Sequence, residues 1–367
     1  MHRPTVEVYE RESVAYAAQR SVQHEGRVRA FAAALPDGGL RLDLGCGPGH
    51  YLPLLGRPAI AADAARAMVL ACGQHYPDVP AVQADLVDLP FDRGACAGVW
   101  ASKAHQHLAA ADLPMALADV HRVLAVGGRF DLTMFAALPG QPTSDDVSTP
   151  GSGDDFPGRL FTWWDPDHLA AVLAAAGFRV DHLELGPTEA ADDHGRLEIT
   201  AIAERALPDH VGAGMRLLCC GLNPSLRAAD AGVGYVTGSN RFWRAMDAAG
   251  LATKARDPRH LLRHDRIGMT DLVKRATARA DELGAAEYRD GVDRLAKLCA
   301  WLRPGAVAVV GLAGWRAAVD RRASAGWQPT DLGGSPVYVL PSTSGLNAGV
   351  SLEALTGHLL AAAGVRN

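Results

Sequence analysis

The hydrophobic positions of this chain fall into short apolar runs separated by longer stretches of helical spacing. In the first half, the apolar runs predict strands at 40–44, 59–62, 81–84, 97–101, 129–135, 178–185 and 196–203. The stretches between them predict helices at 6–34, 64–75, 113–124 and 165–176. Residues 136–159 are rich in Gly, Pro, Ser and Asp, which predicts a mobile loop or lid.

The same alternation begins again after residue 215. Strands are predicted at 216–220, 306–310 and 336–340, and helices at 241–249, 288–302, 314–323 and 352–363. Alternating strands and helices favour a mostly parallel sheet with helices on both faces. We therefore predict an α/β protein of two doubly wound domains, 1–205 and 215–367, joined by a linker at 206–214. A length of 367 residues fits two domains.

The net charge of −5 conceals an asymmetry between these halves. Residues 213–367 hold 20 Lys and Arg against 13 Asp and Glu, a net +7, and the rest of the chain is therefore −12. The positive segment 213–367 attracts phosphate, whereas the negative remainder of the chain repels it. We therefore expect nucleic acid to approach the C-terminal half only. The alternative is chance drift of surface charge.

Several classes of protein are disfavoured. Arg, Asp and Gly interrupt every apolar run before it reaches a membrane span, and the first residues lack the apolar stretch of a signal peptide. The cysteines, at 46, 72, 96, 219, 220 and 299, show no CxxC and no metal-like spacing with histidine. We therefore expect reduced thiols, no metal, no membrane and a cytoplasmic location.

A glycine-rich turn follows the first strand, in Asp43-Leu44-Gly45-Cys46-Gly47-Pro48-Gly49. Glycines let backbone approach a ligand closely, but a dinucleotide fingerprint would need glycine where His50 stands. Asp63 and Asp85 end the next two predicted strands. We expect Asp43 to hold a ligand ammonium, Asp63 both ribose hydroxyls, and Asp85 an adenine amino group. The alternative is that all three carboxylates cap the following helices.

On these residues, with Gly127-Gly128-Arg129-Phe130 and Ala176-Gly177-Phe178, the segment 1–205 resembles class I S-adenosylmethionine-dependent methyltransferases of the small-molecule type. The resemblance implies a Rossmann-like fold and S-adenosylmethionine as cofactor. It implies a binding site formed by Asp43, Gly45, Cys46, Gly47, Gly49, Asp63, Asp85 and Leu86.

The methyl acceptor is left open. The Pro-Pro-aromatic and Pro-Cys motifs of DNA base methyltransferases do not occur in the sequence, so we expect a small-molecule acceptor. His105 and His107 follow the fourth strand and could act as a base, although helix-start and packing roles are the stronger expectation.

A second strand-to-loop turn, Gly221-Leu222-Asn223-Pro224-Ser225, would alone be ordinary. It is accompanied by Tyr235, by Asn240-Arg241-Phe242-Trp243 and by Ser344-Gly345-Leu346-Asn347 after the last strand. Together these resemble the mismatch-specific uracil/thymine DNA glycosylases of the uracil-DNA glycosylase superfamily, over about 207–365.

This second resemblance implies a three-layer sandwich and a role for each motif. Asn223 would orient the attacking water, Tyr235 would stack on a flipped base, and Asn240 would belong to a supporting loop. Ser344, Gly345 and Leu346 would form a wedge that fills the gap left by the base. Extruding a base costs a few kcal/mol, which a wedge and an aromatic platform would offset.

The motifs depart from the family at Leu222 and Ser225, and at 342–344, which bears on the opposite-base preference and on substrate breadth. The turn 221–225 also carries no carboxylate that could activate the water, so we expect slow turnover of the glycosylase.

We thus expect a fusion of two enzymes. One hydrolyses the N-glycosidic bond of uracil opposite guanine in double-stranded DNA, with thymine as a further candidate base; the other transfers a methyl group. The alternative is a methyltransferase with a non-catalytic DNA-binding module. A third possibility is that the fusion joins two domains with unrelated functions.

Overall fold

The structure, a computed structural model, describes residues 2–186 and 195–364. It divides the chain into two compact units, Met1–Glu204 and Arg205–Asn367. Each unit is a sheet with helices, so the protein is an α/β protein of two such domains. No helix in the described ranges is both long and apolar enough to cross a membrane.

The first unit has a nine-stranded sheet. Its strands are β1 (Arg41–Leu44), β2 (Ala59–Asp63), β3 (Ala81–Gln83), β4 (Cys96–Ser102), β5 (Leu124–Ala136), β6 (Ser144–Val147), β7 (Leu160–Trp164), β8 (Phe178–Gly186) and β9 (Arg196–Ala203). Its helices are α1 (Arg3–Gln19), α2 (Glu25–Ala33), α3 (Leu52–Leu55), α4 (Arg66–His75), α5 (Leu113–Val123) and α6 (Pro166–Ala175). The order is β3-β2-β1-β4-β5-β7-β6, and β9 lies antiparallel to both β5 and β8. The carboxyl ends of β1, β2 and β4 therefore meet at one edge.

Two predicted elements of this unit were wrong. The helix expected over 6–34 is two helices, because the chain leaves helical geometry after α1 and His24 adopts a φ of 57°. The loop expected over 136–159 contains β6, which pairs with β7. All four residues of β6 are exposed, so this edge strand carries no apolar pattern that could have indicated it.

The second unit has a five-stranded sheet of order β11-β10-β12-β14-β13, parallel except for β13. Its strands are β10 (Leu217–Gly221), β11 (Ile267–Asp271), β12 (Val307–Val310), β13 (Gly326–Trp327) and β14 (Val337–Leu340). Its helices are α7 (Leu226–Ala231), α8 (Phe242–Ala248), α9 (Pro258–Arg263), α10 (Ala285–Leu302), α11 (Leu312–Ala318) and α12 (Leu352–Ala362). Helices α8 and α12 pack with β10, β12 and β14 in one buried core that includes Phe242, Leu355 and Leu340.

The segment 206–214, expected as a linker, packs as part of the second unit. His210 exchanges two backbone hydrogen bonds of 2.9 Å with Met269 in β11. Asp209 is 1% exposed and accepts hydrogen bonds from Lys274 (2.6 Å), Arg294 (2.9 Å) and Thr270 (2.7 Å). Its loop-like composition concealed this buried carboxylate and its two cations.

Candidate functional sites

The first glycine turn forms a tight backbone cradle at the end of β1. Gly45, Gly47 and Gly49 all have positive φ, at 73°, 52° and 89°, a conformation that glycine adopts at little cost. A side chain at Gly45 would also collide with Ala104 just after β4. The turn therefore requires glycine for both its conformation and its packing.

Two of the predicted carboxylates face this turn. Asp63 accepts hydrogen bonds from the backbone N–H groups of Gly47 and Ala65, both at 2.9 Å, and so links the turn to the start of α4. Burial raises its pKa to about 6, although these hydrogen bonds lower it. Asp43 is 1% exposed, and its Oδ2 atom has no hydrogen-bond partner among the described residues.

The buried Oδ2 atom of Asp43, which lacks a described partner, bears on whether a cofactor would fit here. Burial, with the nearby Cys72 and Asp63, raises the pKa of Asp43 well above its ordinary value. A cation bound at Oδ2 would satisfy the atom and favour the ionised form. The residues at the end of β1 thus fit a ligand that carries a cationic group such as an ammonium.

Asp85 and Leu86 follow β3 as expected, and Asp85 takes part in a turn. Its Oδ1 atom accepts from the backbone N–H of Val87 at 3.1 Å, within a turn that Asp88 closes. Leu86 is 3% exposed, and Cys46 is 5% exposed within the glycine turn. The side chain of Asp85 therefore shapes its own turn at this sheet edge.

Helix α1 covers the turn, an arrangement that no sequence pattern indicated. Glu10 accepts hydrogen bonds from the backbone N–H groups of Arg66 (2.5 Å) and Ala67 (2.9 Å), at the start of α4. The Tyr16 ring lies beside Gly47, where an added Cβ would be 3.7 Å from it. The first helix therefore forms one wall of the candidate cofactor site.

The histidines after β4 are buried in a short 3₁₀ helix, His105–His107. His107 Nδ1 is 2.7 Å from the carbonyl of Leu160, so it is the protonated nitrogen, and Nε2 accepts from the Tyr9 hydroxyl at 2.8 Å. Arg159 in turn donates to Tyr9 at 2.8 Å. Burial, with Arg159 nearby, lowers the pKa of His107 to about 3, and burial lowers that of His105 to about 4. Both imidazoles are neutral near pH 7, and His107 has a packing role.

In the second unit, the turn after β10 holds Asn223 in a defined orientation. Its Nδ2 atom lies 2.8 Å from Thr277 Oγ1, 3.1 Å from the carbonyl of Arg275 and 3.2 Å from that of Pro224. Carbonyl oxygens only accept hydrogen bonds, so the atom facing them is the amide nitrogen. The Oδ1 acceptor is therefore directed away from these partners. The sequence reading missed Thr277.

Tyr235 lies in the loop before α8 with a φ of 57°, a strained conformation for a residue of its size. Its ring stacks on Phe242 with centroids 4.0 Å apart and planes 18° apart. One face is therefore covered by protein. Its hydroxyl is buried and has no hydrogen-bond partner in the described part of the chain.

The Ser344-Gly345-Leu346 loop projects one apolar side chain. Leu346 is 98% exposed, the most exposed of the large hydrophobic residues described. Gly345 lies so close to Ser239 that an added Cβ would be 2.7 Å from the Ser239 Cβ. Ser344 Oγ accepts from the Leu346 N–H at 3.3 Å. Asn240 Oδ1 accepts a hydrogen bond from the Phe242 N–H at 2.9 Å, at the start of α8.

Arg241 holds the Ser344-Gly345-Leu346 loop, a role that its sequence motif did not indicate. Its guanidinium donates to the carbonyls of Ser344 (3.3 Å), Asn347 (2.7 Å) and Val350. Its backbone N–H donates to the carbonyl of Thr343 at 2.9 Å. One arginine thus fixes the loop on both sides of Leu346.

No group of three or more histidine, cysteine, aspartate or glutamate side chains in the described ranges could hold a metal ion.

Comparison with known proteins assigns each unit a family match. Residues 42–132 match the family model of a methyltransferase domain, and residues 208–358 match that of the uracil DNA glycosylase superfamily.

Solved structures similar to this chain cover about half of it. One is a Burkholderia thailandensis 1,6-didemethyltoxoflavin-N1-methyltransferase with bound 1,6-didemethyltoxoflavin and S-adenosylhomocysteine, at 20% identity and a TM-score of 0.42, covering 54% of this chain and 88% of that one. An S-adenosylmethionine-dependent methyltransferase from Mesorhizobium loti has 19% identity and a TM-score of 0.39, with 48% and 96% covered. The [4+2]-cyclase SpnF has 19% identity and a TM-score of 0.40, with 51% and 84% covered.

Proposed function

Because this chain joins a methyltransferase domain to a domain of the uracil DNA glycosylase superfamily, we propose that it catalyses two separate reactions. The second unit comprises 215–367 and the segment 206–214 that packs with it. It hydrolyses the N-glycosidic bond of uracil opposite guanine in double-stranded DNA, with thymine as a further candidate base. The first, 1–205, transfers a methyl group from S-adenosylmethionine to a small molecule. The six cysteines are free thiols, which fits a reducing compartment.

The fixed amide of Asn223 is the observation that carries the glycosylase proposal. Thr277 and the Arg275 carbonyl hold Nδ2, so Oδ1 is preset to accept a hydrogen bond from a water molecule. That water attacks the sugar C1′ atom as the bond to the base breaks. Prior alignment of a nucleophile lowers the barrier without a strong base, which fits a turn that contains no carboxylate.

A flipped base requires a surface to stack on, the platform. The space that it leaves in the DNA base stack requires a side chain to fill it. The Tyr235 face opposite Phe242 is the proposed platform, and the exposed Leu346 is the proposed filler. Arg241 keeps that loop in position, and Asn240 supports it indirectly by starting α8.

The test is base release by the full chain. We expect the wild type to release free uracil from a G·U duplex, and less from A·U. We expect Asn223→Ala to abolish the chemical step while duplex binding is retained. The control is Asp331→Ala, which removes an exposed side chain of the same unit and should release uracil as the wild type does. A protein that binds duplex DNA but releases no uracil or thymine would favour the non-catalytic module instead.

For the first unit, the proposed cofactor contacts are those of the glycine turn. Asp43 receives the ammonium group, Asp63 the ribose hydroxyls, and Gly45, Cys46, Gly47 and Gly49 the backbone approach; Asp85 and Leu86 lie at the adenine side. S-adenosylmethionine supplies an activated methyl group, and the chain supplies orientation and exclusion of water beneath α1. Isothermal titration with the full chain tests this, and absence of binding would refute it.

A further inference from the structure

Most of the excess positive charge of the second unit belongs to a small part of its sequence. The segment 252–266, together with Arg216 and Arg303, holds seven Lys and Arg against two Asp, a net charge of +5. The whole of 213–367 has a net charge of only +7. We call these seven cations the basic edge: Arg216, Lys254, Arg256, Arg259, Arg263, Arg266 and Arg303.

Backbone hydrogen bonds bring parts of the basic edge together at the amino ends of parallel strands. Arg216 directly precedes β10 and Arg266 directly precedes β11. The N–H of Arg216 donates to the carbonyl of Arg266 at 2.8 Å. Arg303 directly follows α10 and precedes β12, and the nearby Gly305 N–H donates to the Met215 carbonyl at 2.9 Å. Arginines that are far apart in the sequence therefore lie at one edge of the sheet.

The two carboxylates of this segment leave most of its positive charge uncompensated. Asp257 forms an ion pair with Lys254 at 2.8 Å. Asp265 accepts hydrogen bonds from the backbone N–H of Thr253 at 3.1 Å and from its hydroxyl at 2.8 Å. These bonds attach the loop that contains Arg256 to the residues just before β11.

Four arginines of the basic edge form no ion pair with any residue that the structure describes: Arg216, Arg256, Arg266 and Arg303. The last three are exposed. Arg216 and Arg266 each donate from Nε to a backbone carbonyl, at 2.9 and 2.8 Å. These bonds orient the two guanidinium groups and leave their terminal nitrogens available to a partner.

The backbone conformation of three of these arginines is a second, independent observation. Arg256, Arg266 and Arg303 have φ values of 58°, 56° and 48°, in the left-handed region that glycine adopts most readily. Arg303 stands directly after the last residue of α10, where helices commonly place glycine. The backbone alone would favour glycine at all three positions, so their arginines indicate a use for the side chains.

The basic edge and the Asn223 turn lie at opposite ends of the same sheet. Arg216 precedes β10, whereas Asn223 follows it. The five residues of β10 separate the two ends by about 16 Å at the usual rise of a strand. A duplex positioned for the reaction proposed at Asn223 approaches the carboxyl ends of the strands, and the basic edge is therefore left for another partner.

We propose that the basic edge binds the phosphate backbone of a second segment of nucleic acid, separate from the duplex at the Asn223 turn. Guanidinium groups bind phosphate through paired, charge-assisted hydrogen bonds. A duplex carries one phosphate charge about every 1.7 Å along its axis, so it can meet several dispersed cations at once. An acidic protein surface would need carboxylates at matching positions. The inference does not require base excision, because contacts with phosphate involve neither a flipped base nor Asn223.

The experiment measures how many short, uracil-free duplexes the full chain binds at low salt, by sedimentation velocity. The triple variant Arg256→Gln, Arg266→Gln, Arg303→Gln should bind one duplex fewer per chain than the wild type, because it loses three phosphate contacts. Its single-turnover rate of uracil release from a saturated G·U duplex should equal that of the wild type, since the Asn223 turn is unchanged.

The matched control removes three exposed cations from α10 and α11 of the same unit: Arg289→Gln, Lys297→Gln and Arg316→Gln. It should bind as many duplexes as the wild type. A triple variant of the basic edge that binds as many duplexes as the wild type overturns the inference. So does a control that loses as many as that variant, because net charge alone would then explain the loss.

The remaining outcomes separate this inference from the proposed function. A wild type that binds no uracil-free duplex at low salt overturns the inference and leaves an acidic protein as the competing partner. A basic-edge variant that releases uracil more slowly from a saturated duplex also overturns it, since both surfaces would then serve one duplex. A wild type that releases no uracil but binds one duplex more than the variant overturns the proposed function and supports the inference.

If the triple variant does not fold, Arg256→Gln replaces it, because the Arg256 side chain has no hydrogen bond or ion pair within the described ranges. Fluorescence anisotropy with the uracil-free duplex over a salt series is then the measurement. The slope of log affinity against log salt should become shallower by about 0.9, the value for one lost phosphate contact. An unchanged slope would refute the role of the basic edge.

Discussion

At the scale of single residues, the carboxylates illustrate how position decides chemistry. Three buried aspartates differ in how the fold shifts their pKa from the ordinary value: Asp63, Asp209 and Asp271. Burial raises that of Asp63 and Asp271 to about 6. For Asp209, burial also acts upward, but the attraction of Lys274 and Arg294 brings its pKa below the ordinary value. Burial is thus the dominant influence on Asp63 and Asp271, whereas the two cations dominate at Asp209.

Asp63→Ala should weaken binding of S-adenosylmethionine to the full chain. Loss of hydrogen bonds to an ionised acceptor costs about 1.5–3 kcal/mol, which is roughly ten- to 150-fold in affinity. Isothermal titration is the measurement. Asp78→Ala, at an exposed turn, is the control and should bind normally. Equal affinities for the two variants would contradict the assignment.

Asp209→Ala should destabilise the second unit, because it leaves Lys274 and Arg294 beside each other without their carboxylate. Breaking a buried ion pair in this way costs about 3–5 kcal/mol. Since the folded-state pKa is lowered, the contribution of Asp209 is present above the ordinary aspartate pKa and is lost as pH falls through the lower one. Urea denaturation of wild type and variant near pH 7 and near pH 3 tests this. A difference that is undiminished at the lower pH would argue against the ion pair as its source.

The candidate site residues also show how much of a site the sequence could predict. Asp43, Asp63 and Asn223 could be located because each ends or follows an apolar strand. Thr277 and Arg241 could not, since they act on partners 54 and 106 positions away in the chain. Tyr9 and Glu10 were hidden for the same reason: no local pattern indicates that α1 returns to the start of α4.

At the scale of elements, the loop after β14 combines exposure with restraint. Leu346 is almost fully exposed, while Arg241 binds three carbonyls around it. The proposed wedge has to enter the base stack without folding back, and these two features support that proposal.

Leu346→Ala should slow uracil release from duplex DNA more than from single-stranded DNA, because extrusion costs less where the base is unpaired. Arg241→Met should have the same selective effect, since it frees the loop without removing the wedge. Single-turnover rates on G·U, A·U and single-stranded substrates are the measurement. Exposed Val126→Ala, in the first unit, is the control. Equal losses on all three substrates would exclude the wedge role.

Several buried strands could be predicted from their apolar runs, but burial alone was not sufficient. The strands β1, β10, β12 and β14 are buried along their length, so apolar runs located them. β11 is just as buried but contains Gly268, Thr270 and Asp271, which disguised it.

At the scale of the whole molecule, the charge difference between the halves predicts where nucleic acid binds. The fragment 205–367 should bind duplex DNA with an affinity that falls steeply with salt, because contacts to phosphate release counterions. The fragment 1–204 should not bind. Fluorescence anisotropy over a salt series is the measurement. Similar affinities of the two fragments, or a flat salt dependence, would show that the asymmetry has no such role.

The position of β9 has a consequence for how the protein forms during synthesis. This last strand of the first unit pairs with β5 along seven residues and with β8 on its other side. The sheet therefore stays open between those strands until residue 203 has left the ribosome. Domains generally fold as units, the N-terminal one first. The first unit should thus acquire protease resistance in one late step, while most of the second unit is still untranslated, and nascent chains arrested before β9 should remain degradable.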